Sequence, residues 1–286
     1  MTFQEEYDRY TAITKDASTA NVALGKQLIS EKNQEILGMR DWYFMEKERT
    51  ASSVASQQKY RLPADCGRPI DFWTVVGGIT YHPTEVVSRD EWQSLNAVAT
   101  YSDITTQFTI IENYIYFYPI PSSINVTLHT LYRREDKEMT AADYSTNTLT
   151  ATQGSRTIVG SGTVWTASMV GRWVKINGLW YQIDTFTNTT HMDLEKASFD
   201  DASAVTYKIG EMSSLPGEFH DLLWKSAVSD YCDFKGLDNP WKAQYEKRLG
   251  LFIARYGGGQ KTTGQVMRRS GRNVRNPNDY PTGLHT

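Results

Sequence analysis

Cysteine is nearly missing: Cys66 and Cys232 are the only two, in unrelated contexts and without CxxC spacing. That excludes a disulfide framework and suits a reducing compartment. No apolar run approaches the roughly 20 residues needed to cross a bilayer. A cationic surplus is also lacking. Lys and Arg number 30 against 33 Asp and Glu, a formal charge of −3, so no overall basic field draws the molecule to nucleic acid. The opening MTFQEEYDRY carries acids early and lacks an apolar h-region, so no secretory leader is expected, and the glycosylation-like patterns at Asn125 and Asn188 carry no weight.

Catalytic motifs are missing too. There is no P-loop, no HExxH, no GxSxG and no nucleotide fingerprint. The five His stand at 82, 129, 191, 220 and 285, with no pair at i, i+4 spacing, so no metal site is expected. His220 beside Glu218 and Asp221 looks like an acid–base cluster, but polar residues in a first helical turn explain it better. Cys66 and Cys232 read as small packing residues rather than nucleophiles. The residues therefore lead to the expectation of no enzyme and no cofactor.

Aromatic residues are plentiful. The chain has 17 Tyr and 8 Trp in 286 residues, a surplus that favours β structure or large contact surfaces. The clearest element is residues 108–121, FTIIENYIYFYPIP, which reads as a hairpin turning at Glu112 and Asn113 and ended by Pro119 and Pro121. Before it, residues 2–13 predict a short helix with Phe3, Tyr7 and Tyr10 on one face. A second helix runs from a Ser18 cap to Gly38, with Val22, Leu24, Ile29, Ile36 and Leu37 as its stripe. Trp42, Tyr43 and Phe44 form an aromatic knot, and residues 69–76 with Gly77 and Gly78 predict a strand and a tight turn. Ser88 caps a helix carrying Trp92, and residues 124–132 predict a strand paired with the hairpin.

Composition changes after the charged stretch 133–138, which reads as a solvated turn or a protein contact. Residues 145–210 are rich in Thr, Ser, Gly, Val and Trp, with strands expected at Val164 and Trp165, at 173–176, at 180–183 and at 189–194. They predict an inserted small all-β sandwich or barrel, with Trp165, Trp173, Trp180 and Tyr181 as core or as an exposed platform, core being preferred for so small a domain. Helix returns afterwards. One stripe is Phe219, Leu222, Leu223, Ala227 and Val228, running toward Phe234 and ended by Gly236. The other is Tyr245, Leu249, Phe252 and Ile253 behind Pro240. Residues 257–286 form an extended basic tail, with Lys261, Arg268, Arg269, Arg272 and Arg275 against Asp279. It is too poor in aliphatics to order itself alone.

The expected class is α+β: a helical bundle from the N- and C-terminal helices, a β-hairpin and sheet region, the inserted β domain, and the tail. The domains are 1–144 with 211–256, then 145–210, then 257–286. The order of the pieces resembles the head–tail connector adaptor proteins of tailed bacteriophages. It runs helix, Asp41 to Phe44, Tyr60 to Asp65, Glu91 and Trp92, hairpin, Leu215 to His220, then Asn239 to Glu246.

That resemblance covers 3–133 and 214–256. It implies a non-enzymatic homo-oligomeric ring, a dodecamer, beneath the portal and around the DNA channel. The helices at 216–235 and 240–256 would be its scaffold, and the DNA would pass without sequence-specific contact. It also implies a virion neck location, with host cytoplasm during assembly. The implied partners are the portal protein and a downstream nozzle or stopper protein. By the same resemblance the tail docks on the portal through Arg268, Arg269, Arg272, Val274, Arg275, Tyr280 and Leu284. Residues 145–210 depart from simple adaptors and look like β-modules of other phage structural proteins, a place to hold tail fibres or a neighbouring neck protein. The competing class is a receptor- or carbohydrate-binding protein of the tail tip.

Overall fold

The protein is described from a computed structural model, residues 1–257. It is a mixed α+β fold. Two helices open the chain: α1 (Phe3–Thr14) and α2 (Thr19–Gly38). Thr2 and Glu5 close a reciprocal cap on α1, and Ser18 accepts from the Asn21 backbone N–H to start α2. The next elements are β1 (Glu46–Ser52), β2 (Lys59–Arg61), β3 (Cys66–Val76), β4 (Ile79–Tyr81), β5 (Thr84–Glu85), α3 (Arg89–Leu95), β6 (Gln107–Ile111), β7 (Tyr114–Tyr118) and β8 (Val126–Arg134). Seven short strands follow: β9 (Thr148–Ala151), β10 (Thr157–Ser161), β11 (Trp173–Ile176), β12 (Leu179–Asn188), β13 (His191–Leu194), β14 (Ala202–Val205) and β15 (Lys208–Gly210). Helices α4 (Asp221–Lys235) and α5 (Pro240–Tyr256) end the described chain. Contacts divide it into two compact units, Asp41–Lys137 and Met1–Arg40 joined to the chain from Glu138 onward.

In the unit of 41–137, one sheet runs β1-β8-β3-β4 and the other β2-β7-β6-β5. The hairpin β6–β7 forms as its pattern predicts. Ile110 pairs with Ile115 and Ile111 with Tyr114 across Glu112, which sits at φ 55°, and Asn113. The strand at 124–132 does not join that hairpin. It forms β8 and lies antiparallel between β1 and β3, with Leu128 opposite both Ala51 and Thr74. Its apolar side chains still reach the hairpin, but through a face: Phe72, Phe108, Ile115, Phe117, Val126 and Leu128 fill one core between the two sheets. Alternation told which face of β8 is buried and not which edge it pairs with. Arg133 and Arg134, read as part of a charged turn, are the last two residues of β8.

In the other unit α4 is central and packs against α1, α2 and α5. Leu222, Leu223, Trp224, Ala227, Val228 and Tyr231 are all buried, so its apolar surface is wide rather than a stripe. Ile29, Ile36 and Leu37 of the expected α2 stripe are buried, but the rest of the buried face differs. Val22 and Leu24 are half-exposed, while Asn21, Gly25, Ile29, Asn33 and Ile36 go inside. The polar members have partners: the Tyr10 hydroxyl donates to Asn21 Oδ1 at 2.9 Å, and Ser213 hydrogen-bonds Asn33. Gly25 is required there because the Tyr10 ring fills the space a Cβ would take.

Strands β9–β15 make one antiparallel sheet in the order β14-β9-β10-β13-β12-β11-β15. Its edge strands are separated in sequence only by Thr206 and Tyr207. A flat sheet of this width would hold its edges about 29 Å apart at about 4.8 Å per strand. Three chain steps reach only roughly 10 Å. The sheet must therefore curl. Inside the curl lie Leu149, Ile158, Val174, Ile176, Ile183, Met192, Leu194 and Ile209, plugged by Trp165, Met169 and Tyr207. Val164 and Trp165 are not a strand, contrary to the expectation; they lie in the irregular segment between β10 and β11. From there Trp165 turns fully inward, its Nε1–H donating to the Tyr207 hydroxyl at 2.9 Å, which donates to the Thr146 carbonyl at 2.9 Å. A buried indole needs such an acceptor. Trp173 and Trp180 are only half-buried.

Candidate interaction surfaces

The titratable side chains that looked like a cluster each take other partners. His220 is buried, with its Nε2 2.7 Å from the Leu215 carbonyl. Asp221 accepts from Lys225 at 2.6 Å and from Arg248 at 3.1 Å, while Glu218 accepts from Arg255 at 2.6 Å and from the Tyr256 hydroxyl at 2.8 Å. The Arg248 and Arg255 ion pairs fasten α5 to the start of α4 and the turn before it. Burial pushes the Cys66 thiol up to about 11 and also raises Cys232, so neither is poised as a thiolate. Among the described residues no group of three or more His, Cys, Asp or Glu is placed to hold a metal. No described helix is long and apolar enough to cross a membrane. The tail positions Arg268, Arg269, Arg272, Val274, Arg275, Tyr280 and Leu284 lie outside the described residues, as does all of 258–286.

Two apolar surfaces were not foreseen. One is the α4–α5 corner. Phe234, expected at the end of a buried stripe, is 76% exposed, and Leu237 is 54% exposed just past Gly236. The helix turns the corner in a left-handed Gly236 at φ 65°, which caps α4 and throws both side chains outward. Helix α5 buries only Phe252 fully; Trp241 rests against Trp224 of α4 (5.4 Å) and Phe252 against Phe219 in the turn before α4 (5.2 Å). Leu251 on its other side is exposed.

The second surface is built by three loops in the unit of 41–137. The Asp103 carboxylate accepts from the backbone N–H and hydroxyl of both Ser122 and Ser123, at 2.7–3.1 Å. Those bonds, from Ser122 first and then Ser123, hold Asp103 below the usual carboxylate range. Ser53 ties in the third loop by donating to the Ser123 carbonyl at 2.6 Å. Around this polar knot Val54, Tyr101, Ile104 and Ile124 are exposed. A fixed set of loops presenting apolar side chains is preorganised for protein contact. In the sequence the only sign of it was Asp103 among small polar residues, which any loop would show.

The SU10 adaptor protein family model matches residues 1–155, from α1 through the first strand of the curled sheet. The molecule is thus an adaptor-type structural protein of a bacteriophage. In particular, the chain belongs to the SU10 adaptor protein family, whose match spans more than half of its 286 residues. No curated protein matches it.

Proposed function

We propose that this chain is the head–tail connector adaptor of its phage: a homo-oligomeric ring, a dodecamer, seated beneath the portal and surrounding the DNA channel. The observation that carries the reading is family membership through the N-terminal helices and both sheets of the 41–137 unit. It is supported by the exposed Phe234, Leu237 and Leu251, which give the helices apolar surface for neighbours within a ring. In this reading α1, α2, α4 and α5 are the bundle of the ring scaffold, and residues 145–210 are an inserted β domain on it that holds a tail fibre or a neck protein. The segment 257–286 docks on the portal through its arginines. The molecule works by docking and not by catalysis, as a part of the virion neck assembled in the host cytoplasm.

Native mass spectrometry of the full chain with and without the portal protein tests the reading. The expected result is a portal ring carrying adaptor copies, lost when residues 258–286 are removed. A chain that stays apart from the portal is not its adaptor, and the tail-tip alternative then takes its place.

A further inference from the structure

Strands β14 and β15, the two edges of the curled sheet, approach one another without pairing. Between the β11–β12 turn and the link joining β14 to β15 opens a groove of about 590 Å³, lined by Lys175, Asn177, Val205, Thr206, Tyr207 and Lys208. Two ammonium groups and no carboxylate line it. Lys175 and Lys208 are direct cross-strand neighbours on β11 and β15, a like-charge placement that destabilises a sheet. The two lysines are not equivalent. Lys208 is neutralised by Glu5 at 3.0 Å and Asp143 at 3.3 Å. Lys175 is exposed, lies over the Trp180 ring at 5.6 Å, and has no carboxylate within ion-pair distance among the described residues.

We infer that this groove binds an acidic segment of a partner protein, with one Asp or Glu carboxylate seated on Lys175 between the Asn177 amide and the Thr206 hydroxyl. Side-chain recognition outweighs strand addition here. The free edge of β14 is only four residues long and is interrupted by a register shift, with Ala204 at φ 50°, so it offers a partner no continuous ladder. An acidic sugar fits less well, because no ring face is open to stack on it. Tyr207 is buried against Trp165 and Tyr144, and Lys175 covers Trp180. That the partner is a neighbouring virion protein rests on the adaptor reading; the chemistry of the groove does not.

The test uses the full chain and three immobilised probes: a ten-residue peptide of alternating Ser and Glu, its Ser and Lys counterpart, and a glucuronate polymer. The acidic peptide is expected to bind, and the basic one is not. Lys175→Glu should weaken binding by about tenfold or more, while Lys175→Arg stays within about threefold of the parent. Both variants change an exposed side chain, and Lys175→Glu relieves the like-charge pair with Lys208, so a melting temperature no lower than the parent's shows that the sheet is intact. No binding of the acidic peptide, equal binding by Lys175→Glu, or a preference for the glucuronate polymer overturns the inference. Portal association of the same Lys175→Glu protein separates the two readings. A groove that fails while the portal ring still forms leaves the adaptor reading standing, whereas a parent chain that never joins the portal defeats that reading whatever the peptide does.

Discussion

Glu6 is fully enclosed between α1 and its surroundings, and neither carboxyl oxygen has a hydrogen-bond partner. Burial is the main cause that pushes this group well above the ordinary carboxylate range, with the nearby N-terminal ammonium opposing it and Glu5 adding to it. Because its folded pKa is raised, its contribution to stability is complete below the unfolded value near 4.5 and is lost as pH rises through the folded value. Glu6→Gln removes the titration. The melting temperature of the parent should therefore fall between pH 5 and pH 8 by more than that of the variant, and the variant should melt higher at pH 8. Equal slopes for the two proteins would mean that Glu6 finds a partner in solution. The sequence shows Glu6 only as an N-terminal acid suited to the helix dipole. Its spacing, three residues after Phe3 and four before Tyr10, places it on their face, but a carboxylate there reads as solvated and not as buried without a partner. On α2 periodicity found Ile29, Ile36 and Leu37 but missed Asn21 and Asn33, which are buried because Tyr10 and Ser213 satisfy them. Hydrophobic periodicity does not see a buried amide whose partner lies elsewhere in the chain.

At the scale of elements, whatever depended on local chemistry was legible. Ser18 and Ser88 each cap the helix they were expected to cap, and Gly77 with Gly78 turns β3 into β4 at φ 57° and 82°. Long-range pairing was not legible, and β8 is the example, since a strand's alternation fixes its buried face and leaves its neighbours open. The β character of residues 145–210 was legible in composition, yet the curl of their sheet follows only from the two-residue link between its edges. The segment returns close to where it leaves: Tyr144 and Ile209 exchange both backbone hydrogen bonds, at 2.8 and 2.7 Å. Replacing 145–210 by a short Gly/Ser linker should therefore leave a remainder that unfolds cooperatively. The cost should be modest, about 1–3 kcal/mol, because α1 loses the Lys208 ion pair with Glu5 and the close approach of Gly210 to Thr2 and Asp143. Urea denaturation followed by circular dichroism at 222 nm provides the check. A remainder that aggregates, or that melts without a transition, shows the segment to be part of the helical core.

Across the whole molecule the charge is uneven. The last 29 residues hold five cations and one acid, so the total of −3 leaves residues 1–257 at −7. A ring lining a DNA passage works best if it holds the duplex weakly, because every phosphate contact must be broken as the genome moves. In the proposed ring, the net negative charge of residues 1–257 would meet that requirement by weakening attraction to the phosphate backbone. The tail concentrates five cations against one acid, and they lack the interleaved aromatics that grip single strands. Full-length protein should therefore bind a random duplex more weakly than about 1 μM at physiological salt, near the range of non-specific binding. Were all five cations to engage phosphates, log K would fall with log salt at a slope of about −4.5. The expected slope is much shallower, and removing 258–286 should change the affinity little at 150 mM salt. Fluorescence anisotropy on a labelled 30-base-pair duplex from 50 to 200 mM salt measures both quantities. A sub-micromolar affinity with the steep slope, abolished by that truncation, would make the tail a DNA-binding arm and take it away from the portal.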